Sequence, residues 1–321
     1  MKNGTHRTQI LICGNLVWAD YRALYPDFEF LVVQPDTSRE AFLADCREGG
    51  RFSAVEGIYR HNTSTDWIGL FDSELVAALP KGLSVIGHND QIDIAACTKR
   101  GIIVANTPGA VDDATATTAM FLLLSCFRQY WPAQSNVRQG KFKQGLKPAH
   151  DPEGKVLGII GMGGSERPLS KRIEEDSSKG SFCTQLVPEK TLKGLLGPVT
   201  YRSELSDLLK EADVIALCLP LNASTRGFFD SDKFAQMKSG AILVNTARGG
   251  VVDEDAMIAA LEENKISAIG LDVYPDEPNI NPQLVKNSKA TLLPHVGTET
   301  EESQEKMEVR ALDNLKTYFA T

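Results

Sequence analysis

Short apolar runs alternate with stretches of helical spacing along most of the chain. QILICG, FEFLVV, AVEGIY, LSVIGH and GIIVAN are runs of this kind, parted by segments such as SREAFLADCREG. Runs that are apolar throughout, instead of alternating with polar residues, predict strands covered on both faces, as in a parallel sheet. The first 106 residues or so therefore read as a βαβ series. NTPGAVDDATATTAMFLLLSCFRQYW follows as a turn, an acidic helix start and a long connecting helix. A second series then appears in KVLGIIGMG, ADVIALCLP, AILVNTARG, SAIGLDVY and ATLLPHVG. Between its first two members, residues 165–197 offer a charged helix-like piece and no clear apolar strand. The tail TEESQEKMEVRALDNLKTYF is amphipathic at helical spacing. Two successive α/β modules of doubly wound type are the expected fold.

Length agrees with two domains, since 321 residues exceed one average domain. The hydrophobic share of 42% and charged share of 24% are those of an ordinary globular protein. A net charge of −8 and the lack of a basic stripe argue against nucleic acid as a partner. The longest apolar stretch, AMFLLLSCF, is too short to cross a bilayer, and MKNGTHRTQ carries no signal-peptide core. Six cysteines (Cys13, Cys46, Cys97, Cys126, Cys183, Cys218) are scattered without CxxC or zinc spacing. They read as buried free thiols in a reducing cytoplasm, and no metal is expected.

Candidate chemistry sits where the strands of the second series run out. Arg248 follows ILVNTA, Glu277 follows GLDVYPD and His295 follows TLLP. In open α/β sheets ligands bind beyond the carboxyl ends of the strands. Taken singly, an arginine there is commonly half of a surface ion pair, and Pro-His is commonly a loop. A guanidinium, a carboxylate and an imidazole from three such segments together point to an active site. LGIIGMGG adds Gly161, Gly163 and Gly164 at the end of another apolar run, as a dinucleotide turn requires. The third glycine of G-x-G-x-x-G is replaced by Glu166, whose charge opposes phosphate at a helix start.

GIYRHN, ACTKRGIIVANTPGAVDDATA, LGIIGMGG, ADVIALCLPLNASTRGFF, LVNTARGGVVDEDAMIAAL, GLDVYPDEP and LLPHVGTET together resemble the D-isomer-specific 2-hydroxyacid dehydrogenases. The likeness is strongest to the fungal glyoxylate/hydroxypyruvate reductase type, and NTARG with PHVGTET is its most specific part. It implies a Rossmann-like NAD(P)-binding domain, residues 107–299, inserted into a flavodoxin-like substrate domain formed by residues 1–106 and 300–321. It also implies a homodimer. The activity implied is reduction of small 2-keto acids such as glyoxylate or hydroxypyruvate to D-2-hydroxy acids.

By the same resemblance Arg248, Glu277 and His295 are catalytic. Gly161, Met162, Gly163, Gly164, Leu219, Pro220, Thr225, Thr246, Ala247, Asp272 and Gly297 are expected at the cofactor, with Asp272 at the nicotinamide ribose or amide. Substrate contacts fall to Tyr59, Arg60, His88 and Asn89 besides Arg248 and His295, and Asn62 joins Tyr59 and Arg60 in suggesting a small polar pocket. Protonated His295 suits proton donation, Glu277 would sustain its charge, and Arg248 can grip a carboxylate with paired donors.

Two departures favour an alternative, a catalytically impaired dimeric relative acting as a binding or sensing protein. The Gly-Ala-Gly-Tyr that relatives carry is absent from His88-Asn89-Asp90-Gln91-Ile92-Asp93. The stretch after Ser165 leaves no residue nameable for the adenosine ribose. Shifting the codons of Thr184-Gln185 by one base can encode His-Asn, and shifting those from Pro188 to Lys193 can encode Arg-Arg-Arg-Leu-Ser. Relatives carry a similar basic stretch there, so NADPH is the expected cofactor over NADH.

Overall fold

Three-dimensional contacts divide the chain into one unit of Met1–Ala110 with Thr300–Thr321 and another of Val111–Glu299. The computed structural model describes residues 7–87, 91–161, 181–184 and 200–320, with backbone alone at 181–184 and 200. Residues 107–110, expected in the cofactor domain, fall with the first unit.

In the first unit, β1 (Thr8–Cys13), β2 (Phe28–Val32), β3 (Gly57–Arg60), β4 (Val85–Ile86) and β5 (Ile103–Val104) form one parallel sheet in the order β2-β1-β3-β4-β5. This is the doubly wound order whose topological switch lies between β1 and β3. Both faces are apolar because both are covered. Leu11, Ile58 and Ile86 pack with Phe42, Phe71 and Leu75 on one side. Ile10, Ile12 and Val85 pack with Ala311, Leu312 and Leu315 on the other. The latter three belong to the helix Glu301–Ala320. Each leucine of that stripe stabilises the unit by roughly 1.5–3 kcal/mol through burial.

The same stripe carries a carboxylate. Glu308 is 2% exposed, and it accepts the backbone N–H groups of Val17, Trp18 and Ala19 at 2.8, 2.8 and 2.7 Å. A buried carboxylate is tolerated when charge-assisted bonds satisfy its oxygens.

The second unit contains β6 (Leu157–Ile160), β7 (Ser181–Thr184), β8 (Thr200–Arg202), β9 (Val214–Leu217), β10 (Ala241–Asn245), β11 (Ile266–Leu271) and β12 (Ala290–Leu292). They form a parallel sheet in the order β12-β11-β10-β9-β6-β7-β8. That is the dinucleotide-fold order extended by one strand, with its switch point between β6 and β9. The helix Asp112–Arg128 lays Ala116, Ala119, Leu122 and Cys126 against Ile159, Val214, Ala216, Ile242 and Val244.

β7 lies within residues 165–197, where the sequence shows no clear apolar strand, and β8 follows just beyond. SFCT pairs with β6 from Leu157↔Ser181 to Ile160↔Thr184, and β8 pairs outside it. Backbone ladders form these strands without a long apolar run, so hydropathy pattern does not reveal them.

Cys13, Cys46, Cys97 and Cys126 are buried free thiols and Cys218 is partly exposed. Burial pushes Cys97 up to about 11 and Cys126 up to about 12, which keeps both protonated at neutral pH. No helix among the described residues is long and apolar enough to cross a membrane.

Candidate active site

Arg248, Glu277 and His295 lie on the segments that leave β10, β11 and β12, three strands adjacent in the sheet. Their convergence rests on Tyr274. Its backbone is pressed so closely on Gly249 that a Cβ there would lie 2.0 Å from the Tyr274 carbonyl carbon. Its N–H donates to Glu277 Oε1 at 2.9 Å, and its hydroxyl donates to the Leu293 carbonyl at 2.8 Å. One buried tyrosine thus ties together the three segments that carry the candidate chemistry.

His295 Nδ1 lies 2.7 Å from Glu277 Oε2. A carboxylate only accepts, so Nδ1 carries the hydrogen and Nε2 is left to face other chemistry. The His295 pKa is raised, first by that hydrogen bond and then by the Glu277 charge, against burial and the Arg248 charge. For Glu277, burial would raise the carboxyl, but the bonds from His295 and the Tyr274 amide outweigh it and hold the group below its ordinary range. Both side chains remain partly open to solvent, at 40% and 36%.

His295 adopts a left-handed backbone, with φ at 56°. A non-glycine residue holds that conformation only when its surroundings impose it. Asp272 imposes it here. Its carboxylate, in a residue 1% exposed, accepts the N–H of Val296 at 2.8 Å and of Gly297 at 2.7 Å, the two amides that follow the histidine. Burial raises the Asp272 pKa, and those two amides pull it back. Asp272 thus holds the backbone of the histidine turn with both carboxylate oxygens.

Arg248 is exposed and donates from Nη1 to the Ala247 carbonyl at 2.7 Å. Asn245, 1% exposed, braces the turn before it, donating to the Arg248 carbonyl at 3.1 Å and accepting the Ala247 N–H at 3.0 Å. Thr246 and Ala247 lie in that turn, half-buried.

At the switch point of the second unit, Gly161 has φ at 92°, and an added Cβ would lie 2.6 Å from the Cys218 carbonyl. Only glycine fits so sharp a turn, and it leaves the crevice clear for a dinucleotide backbone contact. Leu219 is buried and Pro220 exposed, and the Thr225 hydroxyl donates to the Pro220 carbonyl and accepts the Asn222 N–H. Met162, Gly163, Gly164 and Glu166 lie outside the described residues, as do His88, Asn89 and Asp90 and the codon-shift stretch from Gln185 to Lys193.

In the first unit, Tyr59 and Arg60 are 2% and 0% exposed. The Tyr59 hydroxyl donates to the Asn15 carbonyl at 2.9 Å. The Arg60 guanidinium donates to Asn62, Thr65 and Gln91 and lies over the Phe71 ring. Both residues hold neighbouring loops from inside the unit.

Sequence reasoning passed over Asn245, Tyr274 and Glu308. Glu308 left a signal, because it lies at helical spacing with Gln304, Ala311, Leu312 and Leu315, all buried. A carboxylate on an apolar stripe needs a partner.

Residues 120–297 match the family described as D-isomer specific 2-hydroxyacid dehydrogenase, NAD binding domain. The chain is 42% identical to 4-methyl-2-oxopentanoate reductase A of Aspergillus oryzae, over 94% of this chain and 90% of that protein. Its fold is similar to the crystal structure of a glyoxylate reductase from Paecilomyes thermophila, with a TM-score of 0.88, 39% identity and coverage of 97% of this chain and 95% of that one. It is also similar to an NADPH-dependent glyoxylate/hydroxypyruvate reductase from Sinorhizobium meliloti solved with NADP and malonate. There the TM-score is 0.79 and the identity 27%, over 98% of this chain and 94% of that one.

Proposed function

The chain belongs to the D-isomer specific 2-hydroxyacid dehydrogenase family, and from that premise we propose that it reduces small 2-keto acids to D-2-hydroxy acids with His295 as proton donor. The observation that carries this reading is the 2.7 Å pairing of His295 Nδ1 with Glu277. It directs Nε2 outward and keeps the ring protonated to higher pH than a free imidazole, as a general acid near neutrality requires. A nicotinamide dinucleotide held in the crevice at Gly161 would supply the hydride for the carbonyl carbon.

The chain's own residues do the rest. His295 Nε2 gives its proton to the carbonyl oxygen as charge develops there. Glu277 stays ionised and offsets the imidazolium charge, and Asp272 positions His295 by holding the two amides after it. Arg248 pairs with the substrate carboxylate and polarises the ketone, a use of planar donors that a lysine cannot copy. The open turn at Gly161 fits a dinucleotide, and Leu219, Pro220, Thr225, Thr246 and Ala247 would hold it. In this reading the second unit binds the dinucleotide and carries the reacting groups. The intact His295–Glu277 pair speaks against the non-catalytic alternative.

The preferred cofactor in this reading is NADPH, supported by the shifted-codon correspondence at Thr184 to Lys193 and by the NADP-bound relative. Association as a homodimer belongs to it too. On the helices Asp112–Arg128 and Tyr130–Arg138, Phe121, Tyr130, Trp131 and Val137 are 49%, 47%, 45% and 64% exposed, apolar side chains that a second copy would cover in such a dimer. Buried reduced thiols suit the cytoplasm.

Titration of the purified protein with NADH and NADPH, followed by nicotinamide fluorescence and then by consumption with glyoxylate or hydroxypyruvate, tests the reading. Binding of NADPH more tightly than NADH, and its oxidation on adding keto acid, are expected. Binding of neither dinucleotide would sink the enzymatic assignment.

A further inference from the structure

β10 reads AILVN, apolar up to its last residue, and that residue, Asn245, is buried all the same at 1% exposure. A buried amide destabilises the fold unless hydrogen bonds satisfy it. Both ends of this amide are bonded, and both bonds close on the turn that leads into Arg248. Oδ1 accepts the Ala247 N–H at 3.0 Å, and Nδ2 donates to the Arg248 carbonyl at 3.1 Å. The same carbonyl accepts the Val251 N–H at 3.2 Å, so both its lone pairs are used. The backbone from which the arginine side chain springs is thereby fixed.

The head group leans on the same turn. Arg248 Nη1 donates to the carbonyl of Ala247, the residue whose N–H Asn245 holds. An exposed arginine otherwise samples many rotamers, and ordering it on binding weakens the binding. A guanidinium that must meet a carboxylate with paired donors therefore gains from an anchor set beforehand.

Asn245 also reaches the neighbouring strand. Its main-chain carbonyl accepts the Asp272 N–H at 3.0 Å, and Asp272 holds the two amides that follow His295. The side chain thus serves the arginine turn, and the backbone serves the support of the histidine turn. A substitution at Asn245 removes the first service and leaves the second in place.

We propose that Asn245 is a positioning residue for keto-acid reduction, acting through Arg248 by presetting the guanidinium that receives the substrate carboxylate. This inference rests on the reductase reading given above and on the part Arg248 plays in it.

The test is a double-mutant cycle in the full chain. It takes kcat/KM for whichever of glyoxylate and hydroxypyruvate is reduced faster, in the native chain, Asn245→Ala, Arg248→Ala and the double variant. Asn245→Ala should lower kcat/KM about tenfold to a hundredfold, the scale of a misplaced reacting group, with NADPH affinity by nicotinamide fluorescence changed less than about twofold. In the Arg248→Ala background the same change should cost less than about twofold further, since the group it acts through is gone. Asn245→Asp keeps the acceptor for Ala247 and loses the donor to Arg248, so its loss should be intermediate, and it carries the cycle if the alanine variant does not fold. If turnover without Arg248 is too slow to measure, the dissociation constant of oxamate, a carboxylate isostere of the keto acids, from the NADPH complex closes the same cycle. Equal losses with and without Arg248, or none in either background, would overturn the positioning role while leaving the reductase reading intact. Failure of the native chain to reduce either acid with NADPH or NADH would overturn both.

Discussion

Gly249 and Tyr274 are in backbone contact closer than any side chain allows, since a Cβ at Gly249 would stand 2.0 Å from the carbonyl carbon of Tyr274. Through this contact the arginine segment meets the segment that carries Glu277. Gly249→Ala must push the two apart. Because displacements of about 1 Å at a reacting centre can cost roughly a hundredfold, kcat/KM should fall by about that factor, together with a lower melting temperature. Wild-type turnover in this variant would show that the close approach does not set the site.

The pH dependence follows from His295 and Glu277. Reduction needs the protonated ring, so activity is expected to fall as pH rises through the His295 pKa, which Glu277 holds above the ordinary imidazole value. Glu277→Gln removes that support and should move the alkaline limb of the kcat/KM profile to lower pH, with dinucleotide affinity nearly intact. An unmoved profile would mean that another group tunes the acid.

The same pair links pH to stability. The raised His295 pKa contributes stability that is fully present below the unfolded histidine value and is lost as pH rises through the folded one. The lowered Glu277 pKa contributes stability present above the unfolded carboxyl value and lost as pH falls through the folded one. Melting temperature should therefore be highest in the mildly acidic window between them, and Glu277→Gln should flatten that maximum. A variant that keeps the maximum would place its origin elsewhere.

Arg248→Ala should reduce turnover by roughly a hundredfold or more, because it removes charge stabilisation that grows toward the transition state. Arg248→Lys should regain little, as the paired donor geometry is gone. Full recovery by lysine in steady-state assays would show that a point charge suffices.

Asp272→Asn tests the turn beneath the histidine. One acceptor is lost and an amide is set against a buried N–H, at a cost of about 1–3 kcal/mol. The left-handed His295 backbone should relax, lowering kcat about tenfold while dinucleotide affinity stays within about twofold. A fall in affinity matching the fall in kcat would return Asp272 to the cofactor.

Much of this architecture is legible in the chain because its parallel strands are apolar on both faces. QILICG and AILVN announce themselves, and polar residues just beyond such runs, Arg248 and His295 among them, stand out for the same reason. β7 does not, because SFCT is held by main-chain pairing that leaves no mark on hydropathy. Tyr274 looks like one more core aromatic until its amide, its hydroxyl and its neighbour's missing Cβ are seen to act on three different segments. Asp272 follows a strand as plainly as Arg248 does, yet only the fold reveals that both its oxygens accept amides of the histidine turn. Cross-strand packing decides such cases, and spacing along the chain does not record it.

The helix Glu301–Ala320 covers the face of the first sheet that carries Ile10, Ile12 and Val85, although some three hundred residues separate its stripe from Ile10. On the ribosome this imposes an order. Residues 111–299 emerge as a whole unit and can close their core while synthesis continues. The first 110 residues, though made earlier, wait with one apolar face bare until that helix leaves the exit tunnel. Residues 1–110 thus complete their core only after residues 111–299 have been made, and over that interval their bare face is exposed to aggregation.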